Sequence, residues 1–339
     1  MFAGAEQTKR ITYLDGWRGL AIASVLVGHF GGIFPAGGYG VELFFVLSGR
    51  LMAEILFVQN TPLPQFFLRR FSRIYPALLT LVTTMLLVGL ASPWEGAAAL
   101  SFTMNYLSAF HIIKDGVLSH IWSVCIEEHC YALLACIAIW TARDIRSAIA
   151  VCIAVALLAM LNGVLHFLSV GKGLHAIYWR TDVRLASVFL SAGFFLLLRG
   201  RHVPSLSPVL AAGVTAPLFY FAENPMVDYT VGTTLLAFAV NTIDQAPSWV
   251  RTGLSLKPLT QLGAWSYSIY LWQQPFYLGF HGNPAGLAGV LGAALLSFYL
   301  VERPARRAIN SLSGVVGHRF APRGASTMVS DDLGADLKG

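Results

Sequence analysis

Apolar stretches long enough to cross the ~30 Å hydrocarbon core of a bilayer recur from one end of this 339-residue chain to the other. Candidate spans fall at residues 14–34, 38–57, 74–91, 120–140, 148–170, 184–198, 207–222, 226–243, 259–281 and 284–301. Hydrophobic residues make up 56% of the chain and charged ones only 12%, with mean hydropathy +0.64. An ordinary soluble domain carries about 25% charged residues. The fold class that follows is all-α, a polytopic transmembrane helical bundle held in a lipid bilayer.

A further apolar stretch, residues 97–113, is placed by charge. If it does not span, Lys9, Arg10, Arg69, Arg70, Arg73, Arg143, Arg146, Arg199, Arg201, Arg251, Lys257, Arg303, Arg306 and Arg307 share one side. Lys114, Lys172, Arg180 and Arg184 are then left opposite, whereas a span there would carry Arg143 and Arg146 across. Positive charge collects in cytoplasmic loops, so we expect about ten spanning helices, both termini cytoplasmic, and 97–113 re-entrant or interfacial. The same rule accounts for the net charge of +6 without nucleic acid as a partner. Trp17, Trp94, Trp179 and Trp249, near the ends of spans, suit interfacial anchoring.

Residues 1–10, MFAGAEQTKR, are too polar for a secretory signal and read as a cytoplasmic segment. A membrane domain follows over 11–307. The stretch 308–339 reads as a cytoplasmic tail, rich in Gly, Ser and Asp from Ser313 onward and expected to be disordered. No appended soluble domain is expected, so any chemistry falls to the membrane body. No internal repeat is visible, which counts against a transporter built from inverted repeats. Cys125, Cys130, Cys136 and Cys152 lie in apolar segments without metal-ligand spacing and read as small buried hydrophobes, and no metal site is expected.

Within YLDGWRGLAIASVLVGHF, Arg18 and His29 are eleven residues apart. On a helix that spacing closes three turns plus about 20°, so both project to one side, roughly 16 Å apart along the axis. A cation at one mouth of a span and a titratable imidazole deeper in suit an anionic ligand and proton chemistry. GVELFFVLSGRLM places Glu42 at a helix start, Ser48-Gly49 at a packing position, and Arg50 four residues before Glu54, a natural pair. FFLRRFSRIYPALL is a basic cluster (Arg69, Arg70, Arg73) before a span, with Pro76 suited to a first helical turn. It reads as a topology determinant or a phosphate-binding rim. HIWSVCIEEHCYALL puts two adjacent acids, Glu127 and Glu128, inside a span, where packing alone does not explain them. One of them could orient His29 and raise its basicity. Arg184 could neutralise an acid or touch substrate, and Tyr267, Tyr270 and Trp272 could form an aromatic belt or stack on a sugar.

In these motifs the chain resembles the membrane-bound acyltransferase 3 family of bacterial O-acyltransferases. Arg18 and His29 are similar to that family's first-helix arginine and histidine, separated by ten residues. GVELFFVLSG, RRFSRIYP, HIWSVCIEEHCY, SYSIYLW and VERPARR follow in the family's order, covering residues 11–307. Departures are Cys130 for a usual aromatic, Ala186 for a common acid, and Gln273 for a frequent histidine.

The resemblance implies an integral enzyme of the bacterial cytoplasmic (inner) membrane. It would move an acyl group, usually acetyl, from cytoplasmic acyl-CoA to a hydroxyl of a carbohydrate or glycosylated acceptor. Acyl-CoA is then a donor, with no permanently bound cofactor. Arg18, Arg69, Arg70 and Arg73 would meet the coenzyme A phosphates, and Arg18 would also serve the catalytic group. His29 would act as general base or covalent acyl carrier. Glu127, at the W-S-x-x-x-E spacing from Trp122, would orient it, with Glu128 in reserve. Glu42, Ser48, Trp122, Arg184, Tyr267 and Tyr270 are the candidate substrate contacts. The alternative is a non-catalytic transporter or exporter of an anionic or sugar-linked solute, with Arg, His and Glu as proton relay and counter-ions.

Overall fold

The computed structural model describes residues 11–112, 116–170, 178–221 and 225–319, and every regular element among them is helical. In chain order these are α1 (Thr12–Phe30), α2 (Phe34–Ala53), α3 (Leu63–Leu87), α4 (Pro93–Leu100), α5 (Met104–Ala109), α6 (Trp122–Trp140) and α7 (Ile145–Val170). Then come α8 (Thr181–Leu198), α9 (Ser207–Phe221), α10 (Thr233–Thr242), α11 (Ser248–Leu254), α12 (Lys257–Gly279), α13 (Gly286–Ser297) and α14 (Arg303–Arg319). Three π turns extend these rods: Glu54–Val58 after α2, Asp228–Gly232 before α10, and Phe298–Glu302 between α13 and α14.

Among the described residues, four helices are long and apolar enough to cross a membrane: Ser119–Trp140, Ile145–Ser169, Thr181–Leu198 and Gly286–Ser311. Ser207–Phe221 is apolar but shorter. Other long helices, α1, α2, α3 and α12, carry ionisable side chains, several of which turn inward. Asp15, Glu42 and Arg50 are all buried. An ionisable group within a span is tolerated where it faces the bundle and finds a partner.

Close approach of helices rests on small residues. Gly19 of α1 lies against the Leu259 carbonyl of α12, and Gly263 of α12 lies against the Asp15 carbonyl, so no side chain fits between the two backbones. Gly49 lies in the same way against the Val188 carbonyl of α8. Helix α1 thus packs along both α2 and α12, while α2 also packs on α8.

Polar contacts gather distant segments at one end of the bundle. Tyr13 donates to Asp244 at 2.8 Å, and Thr12 meets Ser255 at 2.8 Å. Arg50 makes two 2.7 Å bonds to Asp244 and a third to the Val240 carbonyl. Arg143 donates to the Asn60 and Thr61 carbonyls, so the α6–α7 turn lies beside the start of α3. Asp144 accepts the Ser147 N–H at 2.8 Å, which opens α7 and holds this exposed carboxyl below its usual range.

Several sequence expectations change. Arg50 pairs with Asp244 rather than Glu54, because α10 brings a carboxylate to it across the bundle. Helix α3 starts at Leu63, so the arginine cluster lies on its early turns and Pro76 lies inside the helix. Trp17 is buried, while Trp94 and Trp249 are exposed. Of the stretch expected over 97–113, residues 97–112 are described and hold the end of α4 and all of α5, separated by Phe102 at φ 57, and neither helix is long enough to cross. Helix α14 runs on to Arg319, past the expected boundary at 307. Residues 1–10, Lys114, Lys172 and 320–339 lie outside the described residues.

Candidate active site

Helices α1, α2, α3, α6 and α12 surround a cleft with about 740 Å³ of empty space, part of it open to the exterior. Arg18 enters it from α1, Ser48 and Met52 from α2, Arg70 and Arg73 from α3, Glu127 and Tyr131 from α6, and Tyr267 and Tyr270 from α12. Helical spacing selects the arginines. Residues three apart share a face, so Arg70 and Arg73 both reach the cleft. Arg69, turned about 100° from Arg70, is exposed and does not line it.

The charges in this cleft are held in place. Arg18 pairs with Asp15 at 3.2 Å. The Arg70 guanidinium lies 3.6 Å from the Tyr131 ring centroid and 3.7 Å from a Glu128 carboxylate oxygen. Ser48 donates to one oxygen of Glu127 at 2.7 Å, and Tyr131 to the other at 2.9 Å. Glu127 therefore shares the cleft with the arginines, and no hydrogen bond joins it to His29. Its expected role as the carboxylate that orients the imidazole does not fit this geometry. Glu128 points to Arg70 and does not take that role either.

His29 sits near the end of α1, about 16 Å along the axis from Arg18. Its ring lies against Tyr277, centroids 4.8 Å apart, and the Gln273 side chain faces it. Gln273 is fully buried, and neither of its amide atoms has a hydrogen-bond partner; the same is true of Nδ1 of both His29 and His120. His120 Nε2 donates to the Leu271 carbonyl at 3.0 Å, because a carbonyl can only accept, and this leaves Nδ1 as the free position. Tyr270 binds the His120 carbonyl at 2.7 Å and meets Ser123 at 2.6 Å. Buried polar atoms without a partner are costly, so Gln273 and the two imidazoles form an unusually polar spot near the end of α1. Among the described residues, no group of three or more His, Cys, Asp or Glu is placed to hold a metal ion.

Glu42, expected at a helix start, lies inside α2. It is fully buried, accepting from Arg184 at 2.6 Å and from Thr233 at 2.7 Å. Trp122 packs edge-on against Phe45 and Tyr178 and does not line the cleft. Tyr267 and Tyr270 line the cleft and hydrogen-bond backbone carbonyls, so they are not a lipid-facing belt. Sequence reasoning did not assign roles to His120, Ser123 or Tyr131. The signal was available, since residues 120, 123, 127 and 131 recur at spacings of three and four, one helical face.

Comparison with known proteins places the chain. It is similar to the O-acetyltransferase OatA of Staphylococcus aureus, 29% identical over 77% of this chain and 50% of that protein. It is also similar to the peptidoglycan O-acetyltransferase OatA of Listeria monocytogenes, 26% identical over 79% of this chain and 49% of that protein. BcsY of Komagataeibacter xylinus is 28% identical over 95% of this chain and 88% of that protein. The chain thus spans about half the length of the two OatA proteins. No solved structure matches it. Residues 11–301 match the family model described as an acyltransferase domain, Acyl_transf_3, and the chain belongs to that family.

Proposed function

We propose that this protein is an integral membrane O-acyltransferase that moves an acyl group, acetyl in the simplest case, from acyl-CoA to a carbohydrate hydroxyl. One observation carries the reading: Arg18, Arg70 and Arg73 line one cleft, and Arg18 shares helix α1 with His29 at a spacing that turns both to one side, roughly 16 Å apart. Phosphates of coenzyme A would lie on the arginine forks, and the extended arm would carry the thioester roughly 16 Å up the helix. His29 then takes the proton of the acceptor hydroxyl as its oxygen attacks the thioester carbonyl. The C–S bond breaks, the ester forms, and the proton passes from the imidazolium to the departing thiolate. An acyl-His29 intermediate is the second route, and it differs only in which nucleophile meets the thioester first. Gln273 would hold the imidazole or the developing oxyanion, since its amide is fully buried and faces the ring.

The topology we propose for this enzyme has about ten spans, with both termini and the arginine end of the cleft cytoplasmic. The membrane would be the bacterial cytoplasmic one. The OatA relatives support a cell-wall glycan or another polysaccharide as acceptor class. Family membership favours this reading over a transporter. The test is purified full-length protein in nanodiscs supplied with acetyl-CoA and oligosaccharide acceptors. Free thiol release together with an acetyl mass increment on the glycan is expected. Solute movement in sealed vesicles without consumption of acetyl-CoA would overturn the proposal.

A further inference from the structure

A second cleft, with about 990 Å³ of empty space, borders the start of α2. It is bounded by Tyr178, Phe219, Tyr220 and Tyr229, with Arg184 and Asp228 as its charged groups. Pro35 and Gly38, at the start of α2, also border it, whereas Ser48 and Met52 of the same helix border the first cleft. Along α2 the first cleft borders residues 41–52 and the second borders Pro35 and Gly38, so their midpoints are offset by roughly 15 Å. The second cleft therefore opens at the His29 end of the bundle. A wall divides them: Arg184 lies 4.3 Å from the Tyr178 ring and 5.1 Å from that of Phe45, and Trp122 meets both rings edge-on.

We propose that this second cleft is a carbohydrate subsite, taking one uncharged sugar ring of the acceptor while a neighbouring ring presents its hydroxyl to His29. The inference rests on the acyltransferase reading above. Aromatic faces are electron-rich and favour the C–H face of a sugar ring, and five aromatic side chains, Phe167 with the four above, border this space. The charge balance argues for a neutral ring. Arg184 is already compensated by Glu42 at 2.6 Å, so its charge is not free to recruit an anion. Asp228 keeps a buried carboxylate oxygen, Oδ1, without a hydrogen-bond partner. Such an oxygen is satisfied by a sugar hydroxyl and repels a carboxylate.

The geometry also suits a chain longer than one sugar. Gly28, next to His29, packs directly on Gly37 of α2, so His29 and the cleft are separated by about the 10 Å width of one helix. A glycan lying over the first turn of α2 reaches both places.

The test measures binding by calorimetry to the full-length protein in nanodiscs. Two probes are neutral, the tetrasaccharides of N-acetylglucosamine and of β-1,4-linked glucose, and one is a hyaluronan tetrasaccharide, which carries carboxylates. At least one neutral probe is expected to bind, and Asp228→Asn and Tyr220→Ala should each weaken it at least fivefold. The hyaluronan probe should bind less tightly, and Asp228→Asn should narrow that gap. Asp228→Asn is nearly isosteric, so it carries the test if Tyr220→Ala fails to fold. Neutral-probe affinity unaltered by Asp228→Asn, binding by neither neutral probe, or tighter binding of hyaluronan would each overturn the subsite. Acetyl-CoA cleavage by the same preparations separates the two proposals. Its absence in the wild type removes the acyltransferase reading, while its persistence beside an unaltered glycan affinity removes only the subsite.

Discussion

Ser48 on α2 and Glu127 on α6 are joined by a 2.7 Å hydrogen bond, and the second Glu127 oxygen is held by Tyr131 at 2.9 Å. Both oxygens are thereby committed within the arginine-floored cleft. Glu127→Gln should leave the pH dependence of kcat unchanged, because this carboxylate does not bond His29. A glutamine oxygen can keep one of the two hydroxyls, and the other loses its acceptor at a cost of about 1–3 kcal/mol in stability. Thermal unfolding in detergent and a pH–rate profile check both parts. A shift of the profile by about one pH unit, or 1.4 kcal/mol, would return Glu127 to the side of His29.

For His29→Ala, we expect acyl transfer to fall at least ~10²-fold with membrane insertion and abundance near wild type, since losing a general base typically costs ~10²–10⁴-fold. His29 is half-buried at the end of α1, and its packing against Tyr277 is a modest contribution to stability. Initial rates with acetyl-CoA and a glycan acceptor, normalised to protein in the membrane fraction, measure the effect. Retention of more than about a tenth of the activity would remove His29 from the chemistry.

The helical class, and a single helix carrying both Arg18 and His29, were legible because periodicity and hydropathy are local properties of sequence. Partner choice was not. Arg50 bonds Asp244 across 194 residues, while the nearby Glu54 looked the natural pair. Glu42 read as a helix-end carboxylate and proved to be the buried partner of Arg184, 142 residues away. The start of α3 was missed because Arg69, Arg70 and Arg73 lower its hydropathy, although two of the three point into the bundle rather than to lipid. Adjacent acids pointed to a functional role for Glu127 or Glu128, but only packing shows that both belong with Arg70 and Tyr131 rather than with His29.

The Glu42–Arg184 pair yields a stability prediction. Removing one member of a buried pair leaves the other charge uncompensated, typically at a cost of about 3–5 kcal/mol. Glu42→Gln and Arg184→Met should each lower the unfolding temperature markedly. The double variant should recover much of the loss, because no lone buried charge remains. Additive losses in the double variant would show that the two side chains act independently.

Topology is testable with fused reporters. Arg143 is tied to Asn60 and Thr61, so the α6–α7 turn shares an end with the start of α3. A reporter fused after Arg146 should be cytoplasmic, and one fused near residue 172, beyond α7, should be external. Finding Arg146 outside would reverse the proposed orientation of the cleft.

Donor binding and chemistry should separate at the arginines of α3. Arg70 and Arg73 line the cleft, whereas Arg69 is exposed beside them on the same helix turn. If the first two hold coenzyme A phosphates, replacing both with glutamine should chiefly raise the apparent KM for acyl-CoA, the signature of lost ground-state binding. Arginine forks act together on phosphate, so a single change could be masked by its neighbour and the double variant is the stronger test. Arg69→Gln serves as the internal control: it removes one positive charge from the same helix turn but should leave KM within about twofold, since an exposed side chain off the cleft has no phosphate to meet. Abundance in the membrane fraction is compared as well, because the double variant removes two positive charges from α3 and the control removes one. An equal rise in KM for Arg69→Gln and for the double variant would make the cluster a topology signal and leave the donor site elsewhere. A fall in kcat with unchanged KM in the double variant would instead place Arg70 and Arg73 in the chemical step.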